Sequence, residues 1–310
     1  MTDLICHLTN RSILQVGGDD RRNFLQGLIS NDIHLCQPGK PIYAALLTPQ
    51  GKFLHDMFVI DAGDIFLIDC EAARADDLLQ RLSRYKLRAK VMLENIGGQF
   101  DVWAHWIQEP NSQLSFPRKR ESSTSDSEHI SLRPADARHW IPGHAGDDNL
   151  VLLDPRLPEL GIRIILKKGE KPAGAITDFS AYDKHRLKLG VPDGSRDMIV
   201  EKSTLLEGNF DLLNGISWTK GCYMGQELTA RMHYRALVKK RMFPVGIDGA
   251  APSPGTPIQM NEEEIGEMRS SCDDVGLALL NVEKAHISLS ESLLLTCAES
   301  RVHIIKSPLL

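Results

Sequence analysis

Apolar and polar positions in the first hundred residues repeat with two periods, one typical of strands and one typical of helices. Asp19 or Asp20 could cap a helix that runs to Ile29, and residues 72–86 form a second helical stretch. The remaining apolar stretches have strand-like composition: residues 12–16, 43–47, 53–60, 65–68, 91–93 and 102–106. A Pro-Gln-Gly-Lys turn at residues 49–52 joins two of these strands into a hairpin. The pattern predicts a mixed α and β region.

Residues 111–149 interrupt this pattern. They are rich in Ser, Pro, Arg, Asp and Gly and have almost no apolar periodicity. Such a segment cannot bury enough apolar surface to offset the entropy of ordering it. Its amino-acid sequence resembles peptides encoded by mobile genetic repeats. We therefore predict an exposed, repeat-derived insertion without a catalytic role. The alternative is a basic docking arm, because residues 118–120 are Arg-Lys-Arg.

The pattern resumes near residue 150 and changes near residue 243. Strand-like segments at 150–153 and 161–166 precede helical segments at 181–188 and 227–234. Gly and Pro then separate a series of short apolar runs: 243–247, 258–260, 276–280, 293–297 and 302–305. These runs predict a small β-barrel or sandwich. We therefore divide the chain into a mixed region at 1–240 and a C-terminal β-barrel at 241–310.

Composition adds few constraints. The chain has 310 residues, 42% apolar and 25% charged, with a net charge of -5, so it lacks the basic surface expected of a nucleic-acid-binding protein. No apolar run reaches the roughly 18–20 residues of a membrane span. The N-terminus lacks the basic and apolar regions of a signal peptide. We therefore expect a cytoplasmic protein without direct nucleic-acid or membrane partners.

The six cysteines are widely spaced, and none forms a CxxC pair. This spacing argues against a local zinc site or a four-cysteine cluster site within the chain, so we predict no resident metal. The ordinary interpretation is six reduced thiols, most of them buried.

Cys222 lies in an unusual local context. Gly221 and Gly225 flank it, which suits a tight turn. The start of the following helix and the positive charge of Lys220 both favour the thiolate form. A thiolate could act as a nucleophile, a redox-sensitive group or a ligand for a soft metal or cluster. The alternative is a structural buried cysteine, and no convincing Cys–His–acid triad accompanies it, since His233 on a helix could point away.

Four polar side chains follow Cys222 and could bind a ligand. Gln226 could recognise an amide or pterin edge, or Gln226 and Glu227 could cap the next helix. Arg231 and Arg235, four residues apart on one helical face, could hold an anionic tail such as a glutamyl carboxylate. They could equally form a solvated face.

One further carboxylate is a candidate for chemistry. Asp56 follows His55 in the second hairpin strand, and the pair could face a central cavity. The alternative places Asp56 at an outward position of an alternating strand. The motifs of dinucleotide-binding, P-loop, zincin and α/β-hydrolase proteins are absent from the sequence.

Residues 220–227 are Lys-Gly-Cys-Tyr-Met-Gly-Gln-Glu. This stretch resembles the signature of the YgfZ and mitochondrial IBA-type proteins, relatives of the glycine-cleavage T-protein, an aminomethyltransferase. The resemblance spans nearly the whole chain except about residues 111–149, and further segments carry it: 24–32, 47–53, 186–192, 214–219 and 227–235.

The resemblance implies an α+β fold, with ferredoxin-like units around a central folate pocket and a C-terminal β-barrel. It also implies a folate-binding accessory factor for assembly or repair of 4Fe–4S proteins, including radical enzymes that modify tRNA. Tetrahydrofolate would be the cofactor and iron–sulfur client proteins the partners. Cys222 would be the functional thiol. Asn31 lies in a matching segment, and Tyr182 matches a Trp thought to line the folate site.

Several positions depart from the T-protein pattern. Lys188 stands where the T-protein has a pterin-contacting Glu, and a cation cannot accept the N–H hydrogen bonds of a pterin. His55 and Asp56 stand where the T-protein has two Asp residues. Arg11 stands where some YgfZ proteins have another Trp thought to line the folate site. The changes at Lys188 and at residues 55–56 argue against aminomethyl transfer. Because Cys222 also lacks a catalytic partner, we expect an assembly factor that is not a self-contained enzyme. The alternatives are a folate-dependent aminomethyl- or methyltransferase using Asp56, and a binding module with a vestigial pocket.

Overall fold

The computed structural model describes residues 2–108 and 149–309, so the predicted insertion at 111–149 lies outside the described residues except for Asn149. The first strands and helices are β1 Thr2–His7, β2 Arg11–Gly17, α1 Arg21–Gln26, β3 Ile42–Leu47, β4 Phe53–Asp61, β5 Ile65–Glu71, α2 Ala75–Lys86, β6 Met92–Asn95 and β7 Phe100–Gln108. The later ones are β8 Leu150–Leu153, β9 Ile162–Lys167, β10 Ile176–Thr177, α3 Phe179–Lys188, α4 Gln226–Tyr234, β11 Lys240–Asp248, β12 Pro257–Met260, β13 Glu263–Cys272, β14 Val275–Asn281, α5 Val282–Glu291, β15 Leu295–Cys297 and β16 Ser300–Ile304.

The first sheet has the strand order β3-β4-β5-β2-β6, and its neighbouring strands are antiparallel. Four of its strands and two helices follow the ferredoxin-like order β2-α1-β4-β5-α2-β6, with β3 added at one edge. All nine residues of β4 are buried, because both faces of the sheet are covered. Met57 and Val59 pack on the side of α1 and α2, whereas Phe58 and Ile60 face the opposite side. The uninterrupted apolar run 57–60 suits a strand covered on both faces, and the buried His55 and Asp56 before it have hydrogen-bond partners.

The second sheet has the order β10-β1-β7-β9-β8, with β1 parallel to β10 and the other neighbours antiparallel. An apolar core joins it to the first sheet. Cys6, Val102 and Ile165 contribute from the second sheet, and Ile13 and Ile60 from the first. The two sheets therefore face each other across one layer of side chains.

The C-terminal strands close into a six-stranded barrel in the order β11-β14-β13-β12-β15-β16. The predicted fold class, a GcvT-like α+β region followed by a β-barrel, is thus confirmed. The barrel region is not all-β, however. It contains α5, which starts where the Asn281 side chain accepts a hydrogen bond from the Lys284 N–H.

Two predicted elements differ from the structure. The first helix ends at Gln26 instead of Ile29, because the chain from Gly27 onward turns toward β3, where Ile29 bridges to Leu46. The predicted helix at 72–86 begins with a 3-10 turn over its first three residues and becomes α-helical at Ala75. Among residues 2–108 and 149–309, no helix has the length and apolarity needed to cross a membrane.

Candidate functional site

Lys220 anchors the loop that carries Cys222. Its ammonium group donates hydrogen bonds to the carbonyl oxygens of Gln26, Ile29 and Asn31, at 2.7, 2.8 and 2.8 Å. Burial lowers the pKa of Lys220 to about 8, against the opposing effect of Asp32. An ammonium has three N–H donors, and all three are used here. The loop is therefore fastened to the chain segment that follows α1.

This geometry gives Lys220 a structural role that the sequence did not predict. The sequence predicts that its charge supports the thiolate of Cys222, but its donors serve backbone carbonyls that lie far away in the sequence. Lys220 is a positioning residue in this structure.

Two glycines fix the start of α4 against the turn of the hairpin. Gly225 is the N-cap of α4 and has φ +79°, in the left-handed region. A Cβ on Gly225 would clash with the carbonyl oxygen of Thr48 and would lie 3.0 Å from the Gly51 Cα. Gly51 also has a positive φ, and a Cβ there would lie 2.7 Å from the carbonyl oxygen of Gly225. Only glycines permit this approach of the two backbones.

Cys222 is solvent-exposed, which excludes the structural buried cysteine for this residue. The other five cysteines, all within the described residues, are buried or half-buried. Burial raises the pKa of the Cys6, Cys36 and Cys70 thiols to about 11, 12 and 12, so these thiols stay protonated. Cys222 therefore differs from the other five cysteines in its exposure to solvent.

The polar candidates after Cys222 lie on or beside α4. The Gln226 side-chain oxygen accepts a long hydrogen bond of 3.4 Å from the Tyr223 N–H, and no side chain caps the start of α4. Arg231 and Arg235 are exposed. Arg235 is the C-cap residue of α4, beyond its last helical residue. His233 stacks on Trp218 with ring centroids 3.9 Å apart, so it faces Trp218.

Asp56 lies in the interior, which contradicts the outward-facing alternative. It is 3% exposed and accepts a hydrogen bond of 3.2 Å from the Tyr43 hydroxyl. Arg11 lies 3.8 Å from the same carboxylate. Burial raises the pKa of Asp56, and Arg11 opposes this shift. His55 does not share the environment of Asp56, because its Nε2 contacts Asp77 at 2.9 Å.

Asn31 and Tyr182 belong to the same interior network as Asp56. The Asn31 amide donates to the carbonyl oxygens of Tyr43 and Asn214, both at 2.8 Å. Arg156 donates to the Tyr182 hydroxyl at 3.3 Å and lies over the ring of Tyr43. The structure thus brings together Asn31, Asp56 and Tyr182, but it places Gln226, Arg231 and Arg235 elsewhere, on α4.

Sequence reasoning missed the charged centre of this network. Three arginine side chains surround the Phe58 ring, with Arg11 at 5.4 Å, Arg156 at 4.8 Å and Arg163 at 3.8 Å from its centroid. Asp69 pairs with Arg11 at 2.7 Å and with Arg163 at 2.7 Å. The sequence did contain one signal for buried charges: a charged residue within an otherwise apolar stretch. Asp69 in β5 and Arg163 in β9 are such residues.

The interior network does not fit a folate in this conformation. Asn31 and Tyr182 are each 5% exposed, and Tyr182 packs against Trp106 and Phe179. No side-chain polar atom of Asn31, Asp56 or Tyr182 is a buried atom without a partner. A pterin ring would have to displace these side chains and break their hydrogen bonds.

The chain matches a family model described as the C-terminal β-barrel domain of CAF17 over residues 239–308, the segment that forms the barrel. It is 31% identical over 313 aligned residues to the mitochondrial iron–sulfur cluster assembly factor IBA57 of Mus musculus, covering 92% of this chain and 80% of that protein. It is 32% identical over 319 aligned residues to the IBA57 of Homo sapiens, covering 94% of this chain and 83% of that protein.

A solved structure gives the same fold. The aminomethyltransferase T of the glycine cleavage system from Bartonella henselae superimposes with a TM-score of 0.72, covering 100% of this chain and 86% of that chain. The two sequences are only 13% identical, so this likeness concerns the fold alone.

The relatives correct one prediction and establish one. The expectation of a cytoplasmic protein is wrong, because the mouse and human relatives are mitochondrial proteins by name. The resemblance to IBA-type proteins is confirmed by identity along most of both chains. The chain belongs to the IBA57/CAF17 family, a group with the aminomethyltransferase-like fold whose IBA57 members are named iron–sulfur cluster assembly factors.

Proposed function

We propose that this protein is an iron–sulfur cluster assembly factor that acts on client proteins through Cys222. The observation that carries the proposal is an exposed thiol on a loop fastened at both sides. Lys220 holds the loop to the segment after α1, and Gly225 holds it to the hairpin turn. A thiol presented in this way reaches a partner without a change of fold.

The chemistry is that of a soft ligand. On losing its proton to solvent, Cys222 becomes a thiolate, which binds iron in iron–sulfur clusters. One cysteine supplies one of the ligands that a cluster needs, so the remaining ligands come from the client protein. Exposure of Cys222 suits such shared ligation, because both proteins must reach the same iron atoms.

Two finer features remain predictions from the family resemblance. One is tetrahydrofolate binding, which no step of this proposal uses. The other is that the clients include radical enzymes that modify tRNA. Aminomethyl transfer is not favoured, since its candidate carboxylate, Asp56, is buried and bonded to Tyr43.

Replacement of Cys222 tests the proposal. In cells that lack the natural gene, we expect the Cys222→Ala variant to give no more 4Fe–4S enzyme activity than an empty vector. The melting temperature of the purified variant should equal that of the parent, because an exposed side chain contributes little packing.

Cys272→Ala is the matched control, since Cys272 is a half-buried thiol on β13, outside the Cys222 loop. It should restore client activity fully. Full client activity with Cys222→Ala would refute the role of the thiol.

A further inference from the structure

An open groove lies between α1 and the C-terminal end of α2. It encloses about 460 Å³. Its lining includes the buried core residues Phe24 and Leu28 and the exposed apolar side chains of Tyr85 and Leu87. Tyr85 is 40% exposed and Leu87 is 88% exposed. Apolar side chains grouped along an open groove are suited to receiving an apolar side chain from another protein.

Leu87 has a backbone conformation that a leucine rarely adopts. It is the C-cap of α2, with φ +42° and ψ -108°. A side chain at positive φ is sterically disfavoured, and glycine is the usual residue there. An exposed leucine in this position contributes little to the core, so its presence calls for a role outside folding.

The rim of the groove is positively charged. Lys86 and Arg88 line the groove, and Arg84 and Lys90 flank them in the sequence of a chain whose net charge is -5. Asp20 is the acidic residue that lines the groove, and its carboxylate accepts a hydrogen bond of 2.7 Å from the Lys90 N–H. The rim therefore attracts acidic residues of a partner.

The groove is continuous with the loop of Cys222. Gly27 lines the groove, and its carbonyl oxygen accepts a hydrogen bond of 3.1 Å from the Met224 N–H. Cys222 precedes Met224 by two residues, so their Cα atoms are at most about 7 Å apart. A protein that occupies the groove is thus beside the exposed thiol.

We propose that this groove docks the iron–sulfur client protein that meets Cys222. The docked segment has an apolar side chain, which contacts Leu87 and Tyr85, and flanking acidic residues, which pair with Lys86 and Arg88. This inference rests on the proposed function, because it names the surface that brings the partner to the thiol. The groove supplies affinity, and Cys222 supplies the chemistry.

Leu87→Gly separates docking from folding. Glycine adopts the φ of this position without strain, so the melting temperature should stay equal or rise. The variant loses the exposed apolar contact. In cells lacking the natural gene, we expect the protein level needed for half-maximal 4Fe–4S enzyme activity to rise about tenfold or more, as for a loss at a binding hot spot. Full activity should return at high expression, because only affinity has fallen.

Arg88→Glu should raise the required level in the same way, since it reverses a rim charge. Leu294→Gly is the control, because Leu294 is an exposed leucine before β15, outside the residues that line the groove. It should leave the dose response unchanged.

Two outcomes would overturn the docking proposal. One is that Leu87→Gly and Arg88→Glu need no more protein than the parent, while Cys222→Ala is inactive at every level. The proposed function would then stand without the groove. The other is that Cys222→Ala is fully active, which removes the proposed function and the docking inference with it.

Discussion

At the scale of single residues, the surroundings of Lys220 show how a charge can be buried without an ion pair of its own. Its ammonium group replaces water by three carbonyl oxygens at hydrogen-bonding distance. These carbonyls belong to the last residue of α1 and to the segment after it, where the C=O groups lack helical partners. Lys220 therefore satisfies the end of one element while it fixes the loop of another.

We predict that Lys220→Met destabilises the protein by about 2–3 kcal/mol, because three carbonyls lose a charged donor. The free energy of unfolding, measured by urea denaturation, reports this change. Lys202→Met is the control, since Lys202 is exposed, and its effect should be within about 0.5 kcal/mol. Equal effects of the two substitutions would contradict the anchoring role of Lys220.

The sequence indicated the importance of Lys220 and Cys222 but not what Lys220 does. Its acceptors lie up to 194 positions earlier in the chain, and no local pattern relates such distant groups. For the same reason, the pairing of Asp69 with Arg163 could not be predicted from the sequence, since the two residues are 94 positions apart. Local context can mark a residue, but its partners depend on the tertiary fold.

At the scale of elements, periodicity predicted the central strands well and the ends of helices less well. Strands β3 and β4 follow the predicted hairpin to within a residue at each end, because apolar runs around a Gly turn leave little choice of register. Helix α1 is shorter than predicted since the pairing of Ile29 with β3 takes over. Helix α5 was missed although Asn281 is a cap signal, because short strands surround it.

Two elements meet at the glycine pair Gly51 and Gly225, and this contact yields a prediction. Gly225→Ala should destabilise the protein by about 2–4 kcal/mol, since alanine adds strain at positive φ and a clash with the hairpin turn. It should also lower client activity, because the Cys222 loop loses one of its attachments. Urea denaturation and the cellular 4Fe–4S enzyme assay measure the two effects.

Gly221→Ala is a matched control within the same motif. A Cβ on Gly221 has no atom within 4 Å, and its φ is not positive. Its effect on unfolding should be within about 0.5 kcal/mol. If both alanine variants were equally stable, the close approach of α4 to the hairpin turn would not exist in solution.

At the scale of the whole molecule, the buried charges around Phe58 join the two sheets. Asp69 lies on β5 of the first sheet, and it pairs with Arg11 of the same sheet and with Arg163 of the second. Asp154 pairs with Arg156 at 2.8 Å on the side of the second sheet. Buried ion pairs of this kind cost desolvation free energy, so their arrangement specifies how the sheets are placed more than it adds stability.

Removal of one partner nevertheless leaves a buried charge unpaired and lowers the free energy of unfolding, which provides a test. We expect Asp69→Ala to destabilise the protein by about 3–5 kcal/mol, because two buried guanidinium groups lose their shared carboxylate. Asp273→Asn is the control, because asparagine tolerates the φ of +51° at this position. It removes the charge that pairs with Lys184, and since Asp273 is 72% exposed, such a pair contributes at most about 1 kcal/mol. Urea denaturation of both variants gives the comparison. If the two variants lose similar free energy of unfolding, water reaches the Asp69 site and the sheets are joined by their apolar core alone. If Asp69→Ala loses several kcal/mol more than the control, the ion pairs between Asp69 and the arginines around Phe58 also hold the two sheets together.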